Sequence, residues 1–292
     1  MLAAVFLPVF FVSCSTAPKR PAEIYTIQSM TDTLIGQANK EADQGNYTEA
    51  LSLLTEAWRL AVMTDRPSLR IRVNMGRANA LHALGRTPEA EKIWRDAEVE
   101  AAFAGEPVLV SANRVYRTRS MLLSGRINPE EALSLVLEEQ EKLQPDKLLS
   151  AMGWTARGLA EKDLGRYAEA ETSIMNALAI HDKENYLEQA AYDWYLIASI
   201  RSVAGNYTSA IEALNQAVRF DRRAENSFGL AMDWTAAGDV YHKMEDEDSA
   251  VLSWRRAADI LRAMDKPNQA REVESRVKQS GRQDNIRTPR AD

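Results

Sequence analysis

Three histidines and one cysteine are the side chains of this 292-residue chain with the clearest chemical potential. None of the histidines, His82, His181 and His242, has a partner at metal-binding or catalytic spacing, and His181 with Asp182 and Glu184 comes nearest to a cluster. The cluster lies at a predicted helix end, where a histidine complements the helix dipole and acidic side chains are solvated. We therefore predict no catalytic residue, no metal site, no cofactor and no enzymatic activity.

The amino-acid composition argues against several other classes of function. The net charge of −6 argues against a nucleic-acid partner, because nucleic acid favours a basic protein face. The acidic runs at 138–141 and 246–248 are expected to be solvated helix faces, and the glycines fall in predicted turns rather than in phosphate-binding loops. A single cysteine excludes an internal disulfide. Binding, rather than catalysis, is the function that this composition favours.

The cysteine, Cys14, follows an apolar and uncharged segment, residues 1–13. Thirteen helical residues at about 1.5 Å each span roughly 20 Å, which is too short for the hydrocarbon core of roughly 30 Å. The segment therefore favours a secretory signal over a membrane span. Val12-Ser13-Cys14 resembles a bacterial lipobox, in which small residues precede a cysteine that is acylated and becomes the new N-terminus. The alternative is a buried N-terminal helix with an incidental cysteine.

The lipobox resemblance implies lipidation of Cys14 and a location in the bacterial cell envelope. Several acyl chains would anchor the protein durably, since two membrane signals suffice for stable attachment. The residue after Cys14 is Ser15 rather than an aspartate. By the same resemblance, this implies the outer membrane of a Gram-negative cell, with the protein facing the periplasm. Residues 14–26 contain Pro18 and Pro21 and show no helical period. We predict that they form a tether between lipid and fold.

The rest of the chain repeats with a step of 40 residues. The run Gly-Arg-Tyr-Ala-Glu-Ala at 165–170 returns as Gly-Asn-Tyr-Thr-Ser-Ala at 205–210 and as Gly-Asn-Tyr-Thr-Glu-Ala at 45–50. Self-similarity at a fixed period predicts an array of identical supersecondary units. Tryptophan and proline keep the same step, at Trp154, Trp194 and Trp234 and at Pro67, Pro107 and Pro267.

The repeated unit resembles the tetratricopeptide repeat, a helix-turn-helix unit. The family's tryptophan, small residue, turn glycine, tyrosine, alanine, large apolar residue and alanine occur in order as Trp154, Gly158, Gly165, Tyr167, Ala170, Ile174 and Ala177. This resemblance implies an all-α fold, an α-α superhelical solenoid of about six helix pairs. Because the usual period is about 34 residues, the step of 40 predicts longer helices. The wider spacing from Gly125 to Ala132 predicts a longer turn and a shorter second helix in the third repeat.

The apolar spacing and the turn glycines predict where each helix begins and ends. Six repeats are expected over residues 27–266, followed by a polar-faced helix at 267–279 that caps the solenoid. Residues 280–292 are expected to form a disordered tail. The predicted pairs are 27–44 with 47–64, 67–84 with 87–104, 107–124 with 129–143, 146–164 with 167–183, 186–204 with 207–222, and 226–244 with 247–264.

The family resemblance also implies a site. In tetratricopeptide arrays the first helices of the pairs line a concave groove that binds a protein or peptide partner. The matching residues here are Asn39, Arg72, Asn79, His82, Arg119, Tyr192 and Tyr195. Asn39 and Asn79 are similar to asparagines that hold a peptide backbone or a C-terminal carboxylate. Tyr192 and Tyr195 are candidate aromatic anchors, with packing between repeats as the alternative.

Two functions remain open from the sequence. The first is a lipid-anchored scaffold or adaptor that binds a protein or peptide partner in the envelope. The alternative is a ligand-binding accessory lipoprotein of a periplasmic solute transport system, whose helical array encloses a ligand. The expected groove lining is mixed, with Met75, Met152 and Met232 beside Asn39 and Asp239, so it favours neither function.

Overall fold

The structure is a computed structural model, and it describes residues 26–280. Within this range the chain forms a solenoid of consecutive antiparallel helix pairs, which confirms the predicted all-α class. The predicted signal segment at 1–13, the lipidation site Cys14, nearly all of the tether and the tail beyond residue 280 lie outside the described residues. No helix between residues 26 and 280 is both long and apolar enough to cross a membrane.

The helices begin and end within two residues of the predicted positions, apart from one that ends early. They are α1 (Thr26–Asp43), α2 (Tyr47–Met63), α3 (Pro67–Ala83), α4 (Thr87–Phe103), α5 (Pro107–Leu123), α6 (Pro129–Gln140), α7 (Lys147–Asp163), α8 (Tyr167–Lys183), α9 (Leu187–Val203), α10 (Tyr207–Ala224), α11 (Ser227–Lys243), α12 (Glu247–Ala263) and α13 (Pro267–Gln279).

The backbone repeats every 20 residues, although the side chains repeat every 40. Most helices have 17 residues, and a short turn with one left-handed residue follows each of them. Two such units give the 40-residue period. A glycine supplies this conformation at about half of the turns, and Asp, Asn or Glu supplies it at the others. The left-handed residues are Gly45, Asp65, Gly85, Gly105, Gly125, Gly165, Asn185, Gly205, Glu225, Glu245 and Asp265.

The third repeat is the exception, as its spacing predicted. Its second helix, α6, has 12 residues and is followed by a single 3-10 turn at Glu141–Leu143. Asn128 starts α6 by accepting a hydrogen bond from the backbone N–H of Glu131. The buried Leu143 then fills the space that the shortened helix leaves. The longer turn and shorter helix are thereby confirmed.

Alanine at one position of the repeat brings the two helices of each pair together. Ala170 is fully buried, and a Cβ on the facing Gly158 would lie 2.6 Å from Cδ1 of Ile174 and 3.1 Å from the carbonyl oxygen of Ala170. Helices α7 and α8 are therefore in near backbone contact, and larger side chains do not fit between them. The equivalent alanines of the other regular repeats are also fully buried, namely Ala50, Ala90, Ala210 and Ala250.

The first helices of the pairs lie on the inner side of the curve. Contacts join α1 to α3, α3 to α5, α5 to α7 and α9 to α11. Nζ of Lys40 on α1 lies 3.4 Å from Oε1 of Glu188 on α9, which shows that the superhelix is tightly wound. A second bridge joins Nη2 of Arg72 on α3 to Oδ2 of Asp146, which precedes α7, at 3.0 Å. The first repeat thus contacts the fifth across the hollow.

Helix α13 closes the apolar end of the stack. Ala270 and Val273 are buried against Trp254 and Leu261 of α12. Ion pairs join α13 to α11 and α12, through Arg276 with Asp239 and Glu274 with Arg262. The opposite face of α13 is polar, as a terminal repeat requires.

Ending the chain at Asp265 is expected to expose this end of the core. We expect the shortened protein to aggregate, or to lose roughly 2–4 kcal/mol of unfolding free energy, because several apolar side chains return to water. Gel filtration and urea unfolding measure the two effects. The matched control ends the chain at Ser280, which keeps α13 and removes only residues 281–292. A monomeric 1–265 chain with unchanged stability would show that α13 is not a cap.

Candidate partner-binding groove

A ladder of polar side chains runs along the inner face of the first three repeats. Asn39 on α1, Asn79 on α3 and Arg119 on α5 occupy the same position of successive repeats. Asn39 is exposed, and the other two are half-buried. Oδ1 of Asn79 and Nε of Arg119 are buried and have no hydrogen-bond partner within the described chain. The ladder therefore has hydrogen-bonding capacity that the fold does not use.

Charges of both signs surround this ladder. About half of the Arg72 side chain is exposed, and its Nη2 lies 3.0 Å from Oδ2 of Asp146. Asp43, the last residue of α1, is exposed, but the surrounding protein partly desolvates its carboxyl group and raises its pKa. Glu188 raises that pKa further, whereas Arg119 lowers it. Because α1, α5 and α9 all contribute, this mixed electrostatic field exists only when the superhelix is wound.

His82 occupies a packing position instead of an exposed groove position. Its side chain is only 5% exposed, and Nε2 lies 2.8 Å from Oγ of Ser124. The ring packs against Trp94, with ring centroids 5.5 Å apart. Burial lowers the pKa of His82, and the nearby Arg126 lowers it further. The buried imidazole supports the contact between the second and third repeats, but it offers little surface to a partner.

The other half of the inner face is aromatic and apolar. The rings of Tyr192 and Tyr195 stack on α9, with centroids 6.3 Å apart and planes 13° from parallel. Tyr192 is 40% exposed, whereas Tyr195 packs against the central apolar cluster. Burial raises the pKa of Tyr195. Met152 and Met232 stand at the position of Tyr192 in the neighbouring repeats, so α7, α9 and α11 present one apolar row.

His181, Asp182 and Glu184, which are close together in the sequence, do not form a common site in the structure. His181 is buried and contacts Asp193, with Nδ1 2.6 Å from Oδ2, whereas Asp182 is exposed and Glu184 pairs with Lys147. Between residues 26 and 280 there is no group of three or more histidine, cysteine, aspartate or glutamate side chains that could hold a metal ion.

Two buried titratable pairs occupy identical positions of successive repeats. His181 with Asp193 joins α8 to α9, and 40 residues later Asp221 with Asp233 joins α10 to α11. Burial and the Asp221 carboxylate raise the pKa of Asp233 to about 9. Burial raises the pKa of Asp221 to about 6, against the effect of a hydrogen bond from Asn226. These pairs were not predicted from the sequence. His181 and Asp221 are 40 residues apart, as are Asp193 and Asp233, and this shared spacing could have indicated them.

A shallow depression lies on the outer side of the array. It has a volume of about 320 Å³ and is lined by Leu178, Trp194 and Phe220, with Arg219 and Arg223 at its rim. This volume lies at the lower end of the range for small-molecule sites. The depression is separate from the ladder and from the tyrosine pair.

Comparison with known proteins identifies the class of this fold. A family model described as the tetratricopeptide repeat matches residues 194–223, which span the turn between α9 and α10. No sequence among the curated proteins compared matches this chain. The matched repeat and the solenoid of helix pairs together support a tetratricopeptide repeat protein.

Solved structures share the fold at low sequence identity. A Rap protein complexed with competence and sporulation factor is 15% identical, with a TM-score of 0.56, over 86% of this chain and 75% of that one. BtubC from P. vanneervenii is 15% identical, with a TM-score of 0.58, over 92% and 98%. PilW, a type IV pilus biogenesis factor, is 15% identical, with a TM-score of 0.50, over 84% and 98%. At these identities the similarity shows the fold alone.

Proposed function

We propose that this protein is a non-enzymatic scaffold that binds a protein or peptide partner on its inner face. The observation that carries the proposal is the row of solvent-accessible polar and aromatic side chains on that face. Asn39 is exposed, and Asn79 and Arg119 are half-buried at the same position of the next two repeats. The stacked Tyr192 and Tyr195 stand two repeats farther along. One structural neighbour is a Rap protein complexed with competence and sporulation factor, which supports partner binding by this fold.

The division of the inner face indicates how a partner would lie. The polar ladder suits backbone or carboxylate groups, because amide and guanidinium donors bind both. The tyrosine pair suits an apolar side chain, because rigid aromatic rings bind apolar surface at low entropic cost. An extended segment with a polar end and an apolar anchor would satisfy both halves. The residues of the ladder and the tyrosine pair remain a prediction.

We further propose that the scaffold is held in the bacterial envelope by lipid on Cys14 and faces the periplasm from the outer membrane. Its support is the lipobox-like Val12-Ser13-Cys14 after the apolar residues 1–13. A tether of about a dozen residues would leave the inner face free to bind a partner.

Crosslinking in intact cells followed by mass spectrometry tests the partner-binding proposal. We expect the full chain to capture one neighbour in a fixed ratio, and the Tyr192→Ser, Tyr195→Ser double variant to lose at least about tenfold of that capture. The control is Met175→Ser, which removes a similarly exposed apolar side chain from the outer helix α8.

Two results would contradict parts of this proposal, the first its binding site and the second the scaffold role itself. Equal capture by the double variant and the control would remove the tyrosine pair from the site. A small ligand retained in native mass spectra, with no protein neighbour, would favour the accessory role in solute transport. The residues around the outer depression, Trp194 and Phe220, would then be the first to replace.

A further inference from the structure

Three large apolar side chains are exposed near the ends of the second helices of the first two repeats. Met63 at the end of α2 is 68% exposed, and Phe103 at the end of α4 is 94% exposed. Val99 lies one helical turn before Phe103 and is 69% exposed. We call these three residues the edge patch. A group of large apolar side chains in water marks an interaction surface more often than chance exposure.

The edge patch is confined to the start of the array. Met63 and Phe103 occupy one position of the repeat, and the fourth and fifth repeats have Lys183 and Arg223 at the same position. The exposed end of the second helix thus has a cation in the fourth and fifth repeats, and the small Ala263 in the sixth. Packing does not explain the difference, because this position faces outward in every one of these repeats.

The edge patch lies where the chain enters the fold. Gln28, in the first turn of α1, accepts a hydrogen bond from Arg66 in the turn after α2. Arg70 pairs with Asp65 in that same turn, and its Nε donates to Oε1 of Glu100 at 2.6 Å. Since Glu100 is one turn before Phe103, these contacts join the start of α1 to the edge patch.

We propose that the edge patch rests on the surface of a lipid bilayer. The inference rests on the proposed lipid on Cys14, which is twelve residues before the first residue of α1. A fully extended chain spans at most about 3.5 Å per residue, so twelve residues reach at most about 40 Å from the start of α1. The start of α1 contacts the turn after α2, and the ends of α2 and α4 carry the exposed Met63 and Phe103.

Apolar insertion, rather than charge, is the mode of contact. The polar side chains around the edge patch have both signs, with Asp65 and Glu100 beside Arg66 and Arg70. Such a mixture gives little net attraction to an anionic membrane. Phe, Met and Val side chains bind the boundary between headgroups and acyl chains through buried apolar area. The contact is therefore expected to be as strong on phosphatidylcholine as on phosphatidylglycerol.

Fluorescence quenching by lipids tests the edge patch in the full acylated chain. Phe103→Cys provides a free thiol for a fluorophore, because acylation blocks Cys14, the only native cysteine. The matched control is Lys183→Cys, at the same position of the fourth repeat. In phosphatidylcholine vesicles with nitroxide-labelled lipids, we expect the label at position 103 to be quenched at least about threefold more than the label at 183.

The possible outcomes distinguish the bilayer contact of the edge patch from the lipid anchor on Cys14. Equal quenching at 103 and 183, in a protein that still floats with the vesicles, would overturn the bilayer contact and leave the anchor intact. Failure of the unsubstituted protein to float would overturn the anchor, and the bilayer contact with it. Energy transfer between labels on two copies, without lipid quenching at 103, would replace the bilayer by a second copy of this chain.

Discussion

Replacing Ala170 with tryptophan is expected to lower the free energy of unfolding by more than about 3 kcal/mol, at or beyond the upper end of typical overpacking costs. Ala170 is fully buried between α7 and α8, where even a Cβ on Gly158 would contact the Ala170 carbonyl oxygen at 3.1 Å. An indole ring cannot enter this space unless the two helices separate. Urea unfolding followed by circular dichroism measures the loss.

The position of this substitution gives a second expected signature. Each repeat contacts mainly its neighbours, so a weakened fourth repeat divides the array into two parts that can unfold separately. We therefore expect a broadened or two-step transition. The control is Ala168→Trp, two residues away and exposed, which should change stability by no more than about 0.5 kcal/mol. Equal stability of the two variants would contradict the register of the repeat.

Replacing Asp233 with asparagine is expected to stabilise the protein by roughly 2 kcal/mol or more at pH 8. Asp233 is buried beside Asp221, and the two carboxyl groups share a hydrogen bond, so at most one of them is readily ionised. The amide of an asparagine can donate to Asp221 as the protonated acid does. The variant, however, has no proton to lose.

The pH dependence follows from the direction of the pKa shift. Folding raises the pKa of Asp233 from its ordinary value of 3.8 to about 9, so the folded state binds more protons than the unfolded state between these values. Stability therefore falls as pH rises through this window, and the penalty is absent below about pH 4. We expect the advantage of Asp233→Asn to be largest near pH 9 and to vanish towards pH 4, as measured by melting curves across this range.

The equivalent pair one repeat earlier provides the control. Asp193 contacts His181, with Nδ1 2.6 Å from Oδ2. Burial raises the pKa of Asp193, and the hydrogen bond to His181 opposes that rise, whereas burial and the Asp221 carboxylate both raise the pKa of Asp233. Asp193→Asn weakens a charge-assisted hydrogen bond and should destabilise the protein, whereas Asp233→Asn should stabilise it. The same Asp→Asn change, made at equivalent positions of two repeats, is thus expected to change the free energy of unfolding in opposite directions. Destabilisation by both variants at neutral pH would show that Asp233 is ionised in the folded protein.

The inner face and the edge patch present different surfaces. The ladder and the tyrosine pair lie on the first helices, whereas the edge patch lies at the ends of the second helices α2 and α4. A scaffold of this geometry could rest on a bilayer with one edge while its inner face holds a partner. The two proposals can be tested by separate substitutions, because Phe103 and Tyr192 are on separate faces.

The sequence by itself determined the repeat and its helices. The 40-residue step, the turn glycines and the helix-opening prolines are local signals, and each acts within one pair of helices. The buried alanines such as Ala170, and the short second helix of the third repeat, were predictable for the same reason. The sequence also predicted groove residues on the inner helices, of which Asn79 and Arg119 have buried polar atoms without partners.

Only the tertiary structure decided how the helix pairs wind. Lys40 contacts Glu188 because small rotations between successive pairs add up over four repeats, and no local pattern specifies that sum. The same accumulated packing buries His82 behind Trp94 and joins Asp221 to Asp233 between two repeats. It also decided that Phe103 is left in water at the end of α4. Contacts within one helix pair can be predicted from the spacing of residues. Contacts between distant repeats depend on the geometry of every interface between those repeats.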